Sequence, residues 1–209
     1  KKMLAWGPSS EKQFRRWGVD SNRILLTGAP KHDSWCQNAE HESPTPSSDK
    51  SLLFLATPHH QAHRPDLVAF QLTERTNADM LRMALEALRT FPEYKMQIKL
   101  HPRSDSSSFA TEILSGFPDL ISRVEILRRG TPYQLARKAT CVLSCASSAG
   151  IEAMLAHTPV IQIMPPGSVD LVNDKDWGFV TTVRKKQDLV TVLHSILNQT
   201  GHTPDLASL

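Results

Sequence analysis

The chain has 209 residues, 40% of them hydrophobic and 22% charged, enough for one sizeable core or for one domain with an appendage. Its 24 Lys and Arg against 21 Asp and Glu leave a net charge of +3. With no basic stripe interleaved with aromatics, that balance does not indicate nucleic acid, and it suits an anionic small ligand or an acidic membrane surface equally well.

The chain opens on KKMLAWG, without an initiator Met, a signal peptide or any apolar run near ~20 residues. It reads as a fragment of a longer protein. KMLAWG is a short strand, SSEKQFRRWG a helical stretch stopped at Gly18, and RILLTG a second strand. Pro44 and Pro46, set among Ser, Glu and Asp, mark an irregular linker with nothing to bury. The expected division is 1–36 as the end of a preceding domain, 37–50 as linker, 51–200 as the main domain and 201–209 as a disordered tail.

From Ser51 the pattern alternates. SLLFLAT is a buried strand, and NADMLRMALEALRTF a helix, with Met80, Leu81, Ala84, Leu85 and Leu88 recurring at steps of three and four. YKMQIKL, VEIL, TCVLS and PVIQIM read as strands. SFATEILSGF, PYQLARKA, SAGIEAMLAH and KQDLVTVLHSILNQ read as helices, with Pro132 at a favoured first-turn position. Cys141 and Cys145 lie in or just after an apolar run. They read as reduced thiols of a cytoplasmic protein, with Cys36 as a third, odd cysteine. Strands that are nearly continuous apolar runs, alternating with helices, predict an α/β fold: a Rossmann-like, doubly wound parallel sheet covered on both faces. Ligands of such sheets bind beyond the carboxyl ends of the strands. The loops to inspect are therefore TPHHQAHR, HPRSDSSS, RRGTP, CASSAG and MPPGSVD.

In SCASSAGIE, a helix starting near Ser147 or Ser148 offers backbone N–H groups and the positive end of its dipole to a phosphate. An ordinary N-cap fits the same residues. Glu152 is five residues after Ser147 and four after Ser148, whereas a capping box needs a spacing of three. That leaves Glu152 available to other donors, such as ribose hydroxyls. His101 and Pro102 follow a strand directly, where a His can donate to a phosphate oxygen or act as general acid. His59 and His63 are four apart, but no carboxylate or Cys accompanies them, so no metal is expected. Thr57, His59 and Arg64 in that loop, Arg103 after His101, and Gly167 and Ser168 in MPPGSVD are candidate contacts to donor or acceptor groups. There is no P-loop, no nucleophile elbow and no HExxH.

TPYQLARKATCVLSCASSAGIEAMLAHTPVIQI resembles the nucleotide-binding half of GT-B glycosyltransferases, and RWGVDSNRILLTGAPKHD resembles the segment that closes their N-terminal domain. In several such families a Glu that binds ribose stands seven residues before a Pro, as Glu152 stands before Pro159. His101-Pro102 followed by Ser147-Ser148 is similar to motifs of bacterial sialyltransferases and polysialyltransferases, and of CDP-glycerol glycerophosphotransferases. The resemblance implies that Ser147, Ser148, Ala149, Gly150, Pro102 and Thr131 surround the nucleotide, that Glu152 holds the ribose, and that His101 assists departure of the leaving phosphate. It implies a CMP-, CDP- or UDP-linked donor as substrate, no cofactor or metal, and a glycan or polymer acceptor. It also implies a preceding domain outside this chain, and a place in the cytoplasm that includes the inner face of the plasma membrane. The chain also resembles non-hydrolysing UDP-N-acetylglucosamine 2-epimerases, although their turn usually reads Ser-Gly-Gly with paired Glu, where this one reads Ser-Ala-Gly with a single Glu152. A non-catalytic nucleotide-binding or assembly domain is the third reading.

Overall fold

A computed structural model describes residues 1–30, 33, 50–57, 74–102, 107–145, 147–164, 166 and 181–198, apart from the side chains of Ser9, Glu74, Ser107 and Ser148. The chain divides into two compact units, Lys1–Ser43 and Pro44–Leu209.

In the first unit, strand β1 (Met3–Ala5) and strand β2 (Ile24–Leu26) form a parallel pair, with Met3 opposite Ile24 and Ala5 opposite Leu26. Helix α1 (Pro8–Arg16) connects them. Pro8 opens it, where the missing N–H costs nothing. Its chain reverses through Gly18 at φ 81°, a left-handed conformation that glycine adopts without strain.

The second unit is built on a six-stranded sheet in which every pairing is parallel. In chain order its elements are β3 (Ser51–Leu55), α2 (Glu74–Leu88), β4 (Lys95–Lys99), α3 (Ser107–Ser115), β5 (Val124–Leu127), α4 (Pro132–Ala136), β6 (Cys141–Ser144), α5 (Ser148–Leu155), β7 (Val160–Ile163), β8 (Thr181–Val183) and α6 (Lys186–Asn198). The sheet order is β5-β4-β3-β6-β7-β8. Counted from the first strand of the unit this is 3-2-1-4-5-6, the doubly wound order, so the α/β expectation holds.

Alternation along each strand assigns the two faces. Leu52, Phe54, Met96, Ile98, Cys141, Leu143, Ile161 and Ile163 join one core with apolar residues of α2, α3 and α6. Leu53, Leu55 and Val142 are buried on the opposite side. Arg123 closes the far end of this core. Its guanidinium donates to the carbonyls of Leu88 (3.0 Å) and Tyr94 (2.7 Å), tying the end of α2 to the turn that leads into β4.

Helix α2 and strand β8 differ most from the sequence reading. Helix α2 begins one turn earlier, at Glu74, and ends at Leu88, short of Phe91. Strand β8 has no counterpart in that reading, because TTV carries too little apolar pattern to be recognised alone. It exists because its backbone pairs with β7, Ile161 opposite Thr181 and Ile163 opposite Val183.

Candidate functional site

All six strands of the main sheet point their carboxyl ends at one rim. Helix α2, after β3, contributes to one core face, whereas β6 leads into α5 on the other, so the chain parts in opposite directions between two neighbouring strands. A crevice opens at such a switch point. Thr57 stands just past the end of β3 and bridges it, its hydroxyl donating to the carbonyl of Cys145 at 3.3 Å. Asn77, in the first turn of α2, donates to the Thr57 carbonyl at 3.5 Å. The hydroxyl proton of Thr57 is thus committed to the protein, and its oxygen remains an acceptor.

Ser147 is the N-cap of α5: its Oγ accepts from the Ala149 N–H at 3.3 Å, and its carbonyl accepts from the Gly150 N–H at 2.9 Å. The cap therefore uses two amides that the sequence reading assigns to phosphate. The helix start lies at the switch point, where its dipole favours an anion. Glu152 falls on the second turn, 5% exposed. No capping box forms, as its spacing requires. Yet the expectation that Glu152 stands available is corrected, since other groups of the chain already engage it. Burial on a packed helix gives a carboxylate partners within its own fold.

His101 and Pro102 follow β4 at the same rim, His101 half-buried and engaged within the chain, Pro102 exposed. Thr131 sits beyond β5, and a capping box does form there. Its Oγ1 accepts from the Gln134 N–H at 3.2 Å, and the Gln134 side chain accepts from the Thr131 N–H at 3.5 Å. Thr131 thus first serves to start α4. Gly130 before it has φ 96°, and a Cβ there would meet Leu135 at 3.2 Å, so this turn requires glycine.

The sheet register reveals a polar row that the sequence reading missed. Lys99 and Ser144 both lie opposite Leu55, and Gln162 lies opposite Ser144, so Lys99, Leu55, Ser144 and Gln162 share one face at the rim. Ser144 and Gln162 are fully buried and Lys99 is 6% exposed. Gln162 donates to Thr182 Oγ1 of β8 at 3.0 Å, while Ser144 Oγ has no hydrogen-bond partner among the described residues. Burial pushes the Lys99 ammonium below its ordinary pKa. The one legible signal was the alternation MQIKL, which places Gln97 and Lys99 on the face opposite Met96, Ile98 and Leu100.

His59, Arg64, Arg103, Gly167 and Ser168, the His59–His63 pair, Cys36 and the tail lie outside the described residues. Among the described residues no cluster of His, Cys, Asp or Glu could hold a metal ion, and no helix is long and apolar enough to cross a membrane.

No protein-family model matches the sequence, and no curated protein matches it. Solved structures do match. UDP-GlcNAc 2-epimerase from Methanocaldococcus jannaschii, in complex with UDP-GlcNAc and UDP, aligns over 98% of this chain and 56% of its own, with TM-score 0.63 and 18% identity. UDP-N-acetylglucosamine 2-epimerase from Rickettsia bellii aligns over 97% and 52%, with TM-score 0.65 and 16% identity. A point mutant of TarM from S. aureus, in complex with fondaparinux, alpha-GlcNAc-glycerol and UDP, aligns over 95% and 37%, with TM-score 0.59 and 12% identity. The chain thus spans little more than half the length of these epimerases and less of TarM. At such identities the likeness is one of fold, that of a Rossmann-like half of GT-B proteins.

Proposed function

We propose that the rim of the main sheet binds a nucleotide-activated sugar or polyol phosphate, and that this chain is the donor-binding part of a GT-B-type transferase. The observation that carries the reading is the 3-2-1-4-5-6 strand order. It gathers Thr57, His101, Thr131 and the Ser147 cap of α5 onto one rim, with the helix start at the switch point. The bound UDP named for two of the similar structures supports a pyrimidine nucleotide, with cytidine nucleotides as the competing choice.

In this reading the Ser147 hydroxyl and the dipole of α5 hold the phosphates, and Glu152 accepts from the ribose, exchanging partners within the chain for the ligand. Transfer breaks the bond between the donor's sugar carbon, or its polyol phosphorus, and the leaving phosphate oxygen. His101 donates a proton or a hydrogen bond to that oxygen, and the acceptor hydroxyl forms the new bond and loses its proton to a base elsewhere. Fixed donors aimed at the developing charge supply the stabilisation. The acceptor site and the base would belong to a second domain of a longer protein, whose closure completes the site.

A second reading is an epimerase of UDP-N-acetylglucosamine type, favoured by the TM-scores of 0.63 and 0.65 to such enzymes. The same rim would then retain UDP while the sugar is inverted at one carbon. Transfer of labelled sugar to a glycan, against release of an epimerised sugar with UDP, separates the two.

Calorimetric titration with CMP, CDP, UMP and UDP tests the shared premise. At least one should bind, and Glu152→Gln should weaken it about tenfold, equivalent to ~1.4 kcal/mol. Absence of binding by all four at millimolar concentration overturns the proposal.

A further inference from the structure

Lys99 is the last residue of β4, two positions before His101. Its ammonium donates to the Leu100 carbonyl at 2.7 Å and to the Arg128 carbonyl at 3.3 Å. Among the described residues these two backbone carbonyls are its acceptors, and no carboxylate pairs with it. Holding a cation in that state is costly: desolvation is opposed only by neutral dipoles, and an apolar residue of the same length would pack there without the charge. Core stability therefore does not account for a lysine at this position.

Its geometry does. The two carbonyls belong to different loops. Leu100 leads directly to His101 and Pro102, whereas Arg128 leads through the Gly130 turn to the Thr131 cap of α4. At the rim the backbones of β4 and β5 are joined by the Leu100 N–H on Leu127, and past that bond Lys99 supplies a further link between the two loops.

We infer that Lys99 is a positioning residue whose ammonium fixes the spacing between the loop carrying His101 and the loop leading to Thr131. The inference rests on the proposed nucleotide reading, to which it adds that the first loop, through His101, meets the phosphates and the second, through Thr131, the nucleoside. A ligand that spans both loops depends on that spacing, and a ligand that touches only one does not.

The test compares wild type, Lys99→Met and Lys99→Arg. Uridine and UDP are titrated by calorimetry, with cytidine and CDP in parallel, and amide hydrogen exchange is followed at residues 100–102 and 128–131. For Lys99→Met the expected result is a loss of about tenfold in diphosphate affinity with nucleoside affinity within about twofold of wild type. Faster exchange should appear in both loops together, while protection in β3 and β6 is unchanged. Lys99→Arg, which keeps the charge and the donors, should recover most of the diphosphate affinity. Equal UDP affinity in wild type and Lys99→Met, with wild-type exchange in both loops, overturns the inference alone. Absence of any nucleotide binding by wild type overturns the parent reading and, with it, the assigned purpose of the link. Uniformly faster exchange across the sheet marks Lys99 as a structural residue only, and also overturns it.

Discussion

Cys141 and Cys145 lie buried at the centre of the sheet, one within β6 and one just past it, and burial pushes both thiols up to about 12. The thiolate is the reactive form, so at pH 8 neither should react with iodoacetamide in the folded chain, and both should react once it is denatured. Mass spectrometry of alkylated peptides checks this, and rapid modification of Cys145 in the native protein would refute the assigned packing. Proximity to the candidate site therefore does not make Cys145 a nucleophile. The same scale separates the candidates at the rim. Ser147 and Thr131 are both caps, yet only Ser147 stands at the switch point. Glu152 stands out in the sequence by what its spacing cannot do, which is to cap its own helix. The sequence could not show that it is already engaged, because burial against a neighbouring element is not encoded in local spacing.

Among the elements, α2 shows how a helix end is secured by a residue distant in sequence. Arg123 gathers the carbonyls of Leu88 and Tyr94. Arg123→Met keeps much of the stem and removes the donors that tie the end of α2 to the Tyr94 carbonyl before β4. Hydrogen bonds to a charged group contribute about 1.5–3 kcal/mol, so a loss of ~2 kcal/mol is expected in urea denaturation. Helix α5 ends differently, on His157 in the left-handed region at φ 58°, with the Thr158 N–H returning to the Ala153 carbonyl at 3.2 Å. His157→Val puts a branched side chain in that conformation and should cost about 1 kcal/mol by the same measurement. Neither device is legible beforehand: a Schellman-type turn normally announces itself by glycine, and here a histidine stands in its place.

For the whole molecule, stability at alkaline pH should reflect Lys99 on one side and Tyr94 with the two buried thiols on the other. Burial lowers the Lys99 pKa in the folded state. From that lowered value up to about 10.5, the unfolded chain holds more protons, and stability rises with pH. Burial raises the pKa of Tyr94 and of both thiols, so from about 9 upward the unfolded chain gives up these protons first and their contribution to stability falls. Urea midpoints of wild type and Lys99→Met between pH 8 and 11 isolate the first effect. The difference should shift in favour of wild type as pH rises, and a flat difference would contradict the burial of the ammonium.

By itself the sequence determined the layers. Continuous apolar strands alternating with helices whose buried residues recur at three and four leave little choice but a parallel sheet covered on both faces, and that in turn directs attention to the loops after the strands. Local chemistry also marked where helices begin, at Ser147 and after Thr131. Only the tertiary structure decided the order of the strands, and so which of those loops flank the switch point. Strand β8 exists through its partner rather than its composition. Lys99, Ser144 and Gln162 belong to separate strands and become one polar row only when the register aligns them. Periodicity reports which face a residue turns to its own element. Adjacency across elements is set by pairing and packing over long separations, and no window of sequence contains it.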